Sequence, residues 1–220
     1  MRKEAALQYF NPILTDIINS SYSFSIIDPE GVWIAGGGLR DFYTVGKITN
    51  DIDLYFKNGD LFEIAKKHLL KNGGEITFET KNGTKIKYKN IYYDLIKIFY
   101  SSPQECIDNF DFTVCSCACS IKDIYYHENF IEDLASKKLM FNNIIRPSSS
   151  MIRVVKYIKK GYDIPYKNLQ YLVNAIKKED EEKEVMDILT ELKKNRTEQL
   201  EKSEIASTSY PEYWDRGIKN

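Results

Sequence analysis

Residues 32–56 read VWIAGGGLRDFYTVGKITNDIDLYF, and this stretch decides the fold. An apolar run, Val32 to Ala35, enters Gly36-Gly37-Gly38, and residues 39–45 carry a short helix that Gly46 closes. Residues 51–56 then alternate: Ile52, Leu54 and Phe56 share one face of a strand, while Asp51, Asp53 and Tyr55 share the other. A glycine turn between strand and helix lets backbone amides approach phosphate oxygens, and the helix N-terminus favours their charge. Two carboxylates two residues apart on one strand repel each other, and a shared divalent cation resolves the repulsion. Hard oxygen donors suit magnesium, which keeps waters and substrate phosphates as its remaining ligands. Taken singly, each half also fits a plain tight turn and two solvated acids; together and in this order they point to phosphate and metal chemistry on one sheet face.

Outward from this stretch the chain alternates helix and strand. Residues 4–19 place Ala6, Leu7, Phe10, Leu14 and Ile17 at helical spacing. A helix capped by Asp60 runs to about Lys71. Strands follow at 75–80 and 85–89, joined by Asn82-Gly83 as a two-residue turn, and another at 91–100. Ser102-Pro103-Gln104-Glu105 starts a helix. A strand at 112–121 and a helix near 131–139 complete a head of residues 1–145. The fold class is therefore α/β (α+β), a mixed sheet flanked by helices, with a small helical neck at 146–195 and a polar tail at 196–220.

The chain has 220 residues, 43% hydrophobic and 13% aromatic, enough for a sizeable core and against general disorder. Its 31 basic and 32 acidic side chains leave a net charge of -1, so nucleic acid would have to be met by a local patch. Such a patch exists: residues 137–168 hold eight Lys or Arg and one acid, Asp163. In the neck, Arg153, Lys156 and Lys160 form a stripe, with Met151, Ile152, Val154, Val155 and Ile158 on the packing side. The stripe fits either a solvated helix face or a grip on a polyanion, an RNA strand or a triphosphate tail. No apolar run approaches the ~20 residues of a membrane span, and the composition reads as a soluble, cytoplasmic protein.

Asp94 lies in an apolar row with Tyr92, Ile96 and Ile98 on the 91–100 strand. A charge there needs a cation, either a metal or a lysine such as Lys87 or Lys89. Cys115, Cys117 and Cys119 fall on one face of an alternating strand; their spacing suits core packing better than a tetrahedral zinc.

Gly36-Gly37-Gly38-Leu39-Arg40-Asp41 followed by Asp51-Ile52-Asp53 resembles the DNA polymerase β-type nucleotidyltransferase superfamily. Within it, the first motif is similar to the Gly-Gly-x-x-Arg-Asp of bacterial poly(A) polymerase and CCA-adding enzyme heads. Asp111-Phe112-Thr113-Val114 is similar to that family's Arg-Arg-Asp-Phe-Thr-Ile-Asn segment, and residues 151–162 to its Arg-rich neck helix. The chain departs from the pattern at Asn109 and Phe110, where the family has two Arg, and at Cys115, where it has Asn. The family's Glu-Asp-x-x-Arg base-reading motif is absent, and the sequence stops before the helical body that holds tRNA. The resemblance implies transfer of a nucleoside monophosphate from an NTP to an acceptor hydroxyl, an RNA 3′ end in the first instance, with release of pyrophosphate. It implies two Mg2+ ions on Asp51, Asp53 and Asp94, and nucleotide contacts from Gly36, Gly37, Gly38, Arg40, Asp41, Asp111 and Thr113. Arg153, Lys156 and Lys160 would meet RNA. A protein or small-molecule acceptor, or a nucleotide-binding protein without catalysis, are the alternatives; the sequence leaves the oligomeric state open.

Overall fold

A computed structural model describes residues 3–19, 30–48 and 51–178. In chain order the elements are α1 (Lys3–Asn19), β1 (Val32–Ala35), α2 (Gly37–Val45), β2 (Ile52–Phe56), α3 (Gly59–Lys71), β3 (Glu75–Thr80), β4 (Gly83–Tyr88) and β5 (Ile91–Phe99). Then follow α4 (Pro103–Asp108), a 3-10 turn at Thr113–Cys115, β6 (Cys117–Cys119), β7 (Ile124–Tyr126), α5 (Phe130–Ser136), α6 (Pro147–Lys159) and α7 (Tyr166–Ile176). The strands form one mixed sheet in the order β3-β4-β5-β2-β1-β6-β7. Only β2 and β5 run parallel; every other pairing is antiparallel.

The two faces of the sheet follow the period-2 pattern. Val32 and Ile34 of β1, Ile52, Leu54 and Phe56 of β2, and Tyr93 and Leu95 of β5 join the main core with Phe10 and Leu14 of α1 and Leu69 of α3. The opposite face packs Trp33, Ala35 and Ala118 on Cys106 and Ile107 of α4, with Tyr55 and Phe110 at the edge. Asp53 lies on this second face, its carboxylate beside Gly36. A third cluster, Phe112, Val114, Leu139, Val154, Tyr157 and Leu172, seats α6 and α7 against the 3-10 turn.

Several local expectations are corrected. The cap of α3 is Asn58, whose side chain accepts from the Leu61 amide, rather than Asp60. The β3–β4 turn is Lys81-Asn82, since Thr80 already pairs with Gly83. Gly83 has a different duty: a Cβ there would stand 2.5 Å from the Leu95 carbonyl oxygen. The left-handed turn is instead Lys89-Asn90, at φ 48° and 62°, which joins β4 to β5. The 112–121 strand is only β6, because Phe112 leads into the 3-10 turn. Cys115 consequently leaves the face shared by Cys117 and Cys119, which are buried in the main core. Beyond the first turn of α6 the buried side chains are Ser150, Val154 and Tyr157, while Val155 and Ile158 are about half exposed. The helix expected at 179–194 and the 196–220 tail lie outside the described residues.

Candidate active site

Gly36 turns the chain from β1 into α2 with φ +81°, a conformation that L side chains rarely adopt. It offers no side-chain cap, and the first amides of any helix lack intrahelical acceptors. The N-terminus of α2 therefore presents N–H groups where Gly37 and Gly38 open into a cleft. A Cβ on Gly38 would lie 3.2 Å from the Asp51 carbonyl oxygen, so a side chain there would have to push the start of β2 away by a few tenths of an ångström. Gly36→Ala is expected to cost about 1–3 kcal/mol, because φ +81° with ψ -131° is a region that only glycine adopts readily. A fall in melting temperature of a few degrees checks this.

The cleft has a volume of about 350 Å³ and is lined by Gly37, Gly38, Arg40, Asp51, Asp53, Arg153, Lys156, Tyr157 and Lys160. The glycine turn, the paired carboxylates and the neck stripe thus meet in one place. Arg40 forms its inner wall: Nε and Nη2 donate to Asp41 Oδ1 at 3.0 and 2.6 Å, and Nη1 donates to the Tyr157 hydroxyl at 2.6 Å. Its guanidinium also lies 5.3 Å from the Tyr157 ring centroid. Asp41 is buried beneath it and is not among the lining residues.

Asp111 ties α6 to the sheet-side residues before the 3-10 turn. Its Oδ2 accepts from Arg153 Nε at 2.7 Å and from the Ser150 hydroxyl at 3.1 Å. Burial raises the Asp111 carboxyl above its ordinary value, and Arg153 opposes the rise. Thr113 is not brought to the cleft: it is 2% exposed and its hydroxyl donates to Asp133 Oδ2 at 2.7 Å. Lys156 and Lys160 line the cleft beside Arg153. Burial and the nearby Arg40 push the Lys160 ammonium below its ordinary value. An anion in the cleft would relieve that excess of positive charge.

Asp94 stands opposite Asp53 in the β2–β5 register, and Lys85 stands opposite Asp94 in the β4–β5 register. Lys85, rather than Lys87 or Lys89, is the lysine that meets Asp94, at 3.1 Å; it also hydrogen-bonds Asp51. Burial disfavours ionisation of Asp51, but Lys85 outweighs it and holds the carboxyl below its ordinary value. Asp94 moves upward, through burial and despite Lys85. Asp53 is pushed up to about 7 by burial and by the charges of Asp94 and Asp51. No three His, Cys, Asp or Glu side chains are already gathered as cation ligands among the described residues. The donor chemistry nevertheless fits a hard divalent cation: three carboxylates lie together, one lysine touches Asp51 and Asp94, and the upward shift falls on Asp53. Sequence reasoning missed Lys85 and Tyr157. Tyr157 sits between Arg153 and Lys160 on α6, three residues beyond Val154, a spacing that could have marked it as inward-facing.

The sequence model of the Gabija anti-defense 2 family matches residues 2–137. The chain belongs to that family. A Gabija anti-defense 2 protein of Bacillus phage SPbetaL7 is 30% identical over 135 residues, which cover 60% of this chain and 34% of the relative. This family member therefore spans about a third of the length of the curated relative it matches. Among solved structures, Thermotoga maritima CCA-adding enzyme complexed with tRNA superposes with a TM-score of 0.60 at 16% identity, over 80% of this chain and 45% of that one. A CCA-adding enzyme in complex with ATP gives 0.60 at 16% identity, over 80% and 46%. Bacillus stearothermophilus CCA-adding enzyme with CTP gives 0.53 at 17% identity, over 73% and 42%. The Gabija anti-defense 2 chain thus has a nucleotidyltransferase-type fold, a mixed seven-stranded sheet flanked by helices. No described helix is long and apolar enough to cross a membrane.

Proposed function

We propose that the cleft binds a nucleoside triphosphate and transfers its nucleoside monophosphate to an acceptor hydroxyl, releasing pyrophosphate. The observation that carries this reading is the meeting of Gly37 and Gly38, Asp51 and Asp53, and Lys156 and Lys160 around one cavity. The amides at the start of α2 hold phosphate oxygens, and Lys156 and Lys160 neutralise their charge from the opposite wall. Arg40, locked between Asp41 and Tyr157, keeps the glycine turn in register with the neck. Asp111, through Arg153, sets the position of α6 over the cleft. Asp51, Asp53 and Asp94 would hold divalent cations, which supply Lewis acidity to the phosphates and to the acceptor hydroxyl. An RNA 3′ end is the favoured acceptor, supported by the basic neck and by the fold shared with tRNA-bound CCA-adding enzyme. In this reading the transfer serves an anti-defence role of the kind the family's description names.

Incubation with each labelled NTP, magnesium, and in turn total RNA, protein extract or small metabolites identifies the acceptor. Label in RNA supports the favoured version; label confined to protein or small molecules replaces the acceptor; binding without transfer replaces catalysis.

Exchanging Lys156 and Lys160 together for Glu tests the phosphate wall. Both residues lie at the surface, Lys160 partly shielded by the cleft, so the fold is retained. NTP affinity is expected to fall on the order of tenfold or more, because two charge-assisted contacts become repulsions. A parallel RNA titration across salt shows whether the same residues, with Arg153, also meet the acceptor. Unchanged NTP and RNA affinity would return the stripe to a solvated helix face.

A further inference from the structure

Lys85, Asp94 and Asp53 occupy one lateral row across β4, β5 and β2, with Asp51 just before β2. The row is built rigidly. Tyr88 pairs with Ile91 across the Lys89-Asn90 turn, which fixes Lys85 against Asp94. Thr84 and Ile86 on either side are buried, and the start of β4 presses on the Leu95 carbonyl at Gly83. From this position the Lys85 ammonium hydrogen-bonds Asp51 and lies 3.1 Å from Asp94 Oδ2. One monovalent cation thus touches two of the three carboxylates that a divalent cation would need. An ammonium against these oxygens repels a hard metal ion and occupies lone pairs that the ion would use, so the two compete for the same carboxylates. The side chain can still leave: it is 32% exposed and carries a flexible four-carbon stem.

We propose that Lys85 is a tethered counter-cation, holding Asp51 and Asp94 together in the metal-free protein and competing with a divalent cation for both. The proposal rests on the reading of Asp51, Asp53 and Asp94 as cation ligands. It makes metal loading an exchange, in which Lys85 swings towards solvent as the carboxylates take the ion. The site is thereby protected from collapse by repulsion without metal, at the expense of metal affinity.

The test is Mn2+ binding to the intact metal-free chain, followed by the electron paramagnetic resonance signal of free Mn2+, together with melting temperatures. Wild type, Lys85→Met and Lys85→Arg are compared, with Lys85→Gln in place of the Met variant should that variant not fold. Removing the competing charge should tighten Mn2+ binding about tenfold or more, while Lys85→Arg, which keeps it, stays near wild type. Without metal the Met or Gln variant should melt below wild type, and Mn2+ should restore more of its stability than it adds to wild type. Mn2+ binding to wild type as tight as to the neutral variants, or tighter, overturns the competition and leaves the carboxylates as ligands. Absence of Mn2+ binding in every protein, neutral variants included, overturns both the competition and the ligand reading beneath it.

Discussion

Exchange of Asp51 and Asp53 together for Asn is expected to lower nucleotide transfer by several orders of magnitude while the chain still folds. A neutral amide is a far poorer donor to a hard cation than a carboxylate, and the metal's stabilisation of the transition state goes with it. The folding outcome combines two opposing changes. Asn at position 53 removes a charge that burial and its acidic neighbours already oppose. Asn at position 51 deprives Lys85 of one carboxylate partner, leaving Asp94 as the other. These offset each other, so the metal-free melting temperature should stay close to wild type. The stabilisation that NTP and magnesium jointly confer should vanish in the double variant. Transfer assays and melting curves, with and without magnesium, check both halves. A double variant that retains transfer would remove these carboxylates from the chemistry.

Arg40→Leu has the largest expected effect on stability. Arg40 is 6% exposed, and its guanidinium donates twice to Asp41, once to the Tyr157 hydroxyl and weakly to Cys115 Sγ. Removing it takes the cation from a buried carboxylate, a change that costs about 3–5 kcal/mol. For a chain of this size that is a fall in melting temperature on the order of ten degrees or more. Arg40→Lys should recover part of the loss, because it restores the charge without the forked geometry. Since Tyr157 lies on α6 and Arg40 on α2, the Leu variant should also loosen α6. Faster amide exchange along α6, measured under native conditions, would show this. Equal stability of Arg40→Leu and wild type would mean the buried pair is replaceable by packing alone.

Much of this was legible in the sequence because each signal was local. The glycine turn announced itself through three consecutive glycines, and the carboxylate face of β2 through strict alternation from Asp51 to Phe56. The basic stripe of α6 was legible too, although its orientation was not: Tyr157, not Val155 or Ile158, carries the buried face. What sequence could not supply was lateral registration. Asn82-Gly83 has the composition of a hairpin turn, yet Gly83 is demanded by the Leu95 carbonyl, and Lys89-Asn90 makes the left-handed turn without any glycine. That second turn sets Lys85 against Asp94, where the sequence had offered Lys87 or Lys89 as the alternative to a metal. Asp111 and Thr113 show the same limit. Adjacent in a motif, they diverge in space: one anchors Arg153 at the cleft and the other turns inward to Asp133.

The most direct measurement places the label on different phosphates of the same NTP. Wild-type protein, magnesium and an RNA bearing a free 3′ hydroxyl are incubated with NTP labelled at the α-phosphate or at the γ-phosphate. Nucleotidyl transfer predicts that the α label enters the RNA and becomes part of its 3′ end, while the γ label leaves as pyrophosphate. Incorporation of the γ label would mean phosphoryl rather than nucleotidyl transfer. Retention of neither label in RNA, protein or small molecules, with NTP still bound in the cleft, would contradict catalysis and leave a nucleotide-binding protein.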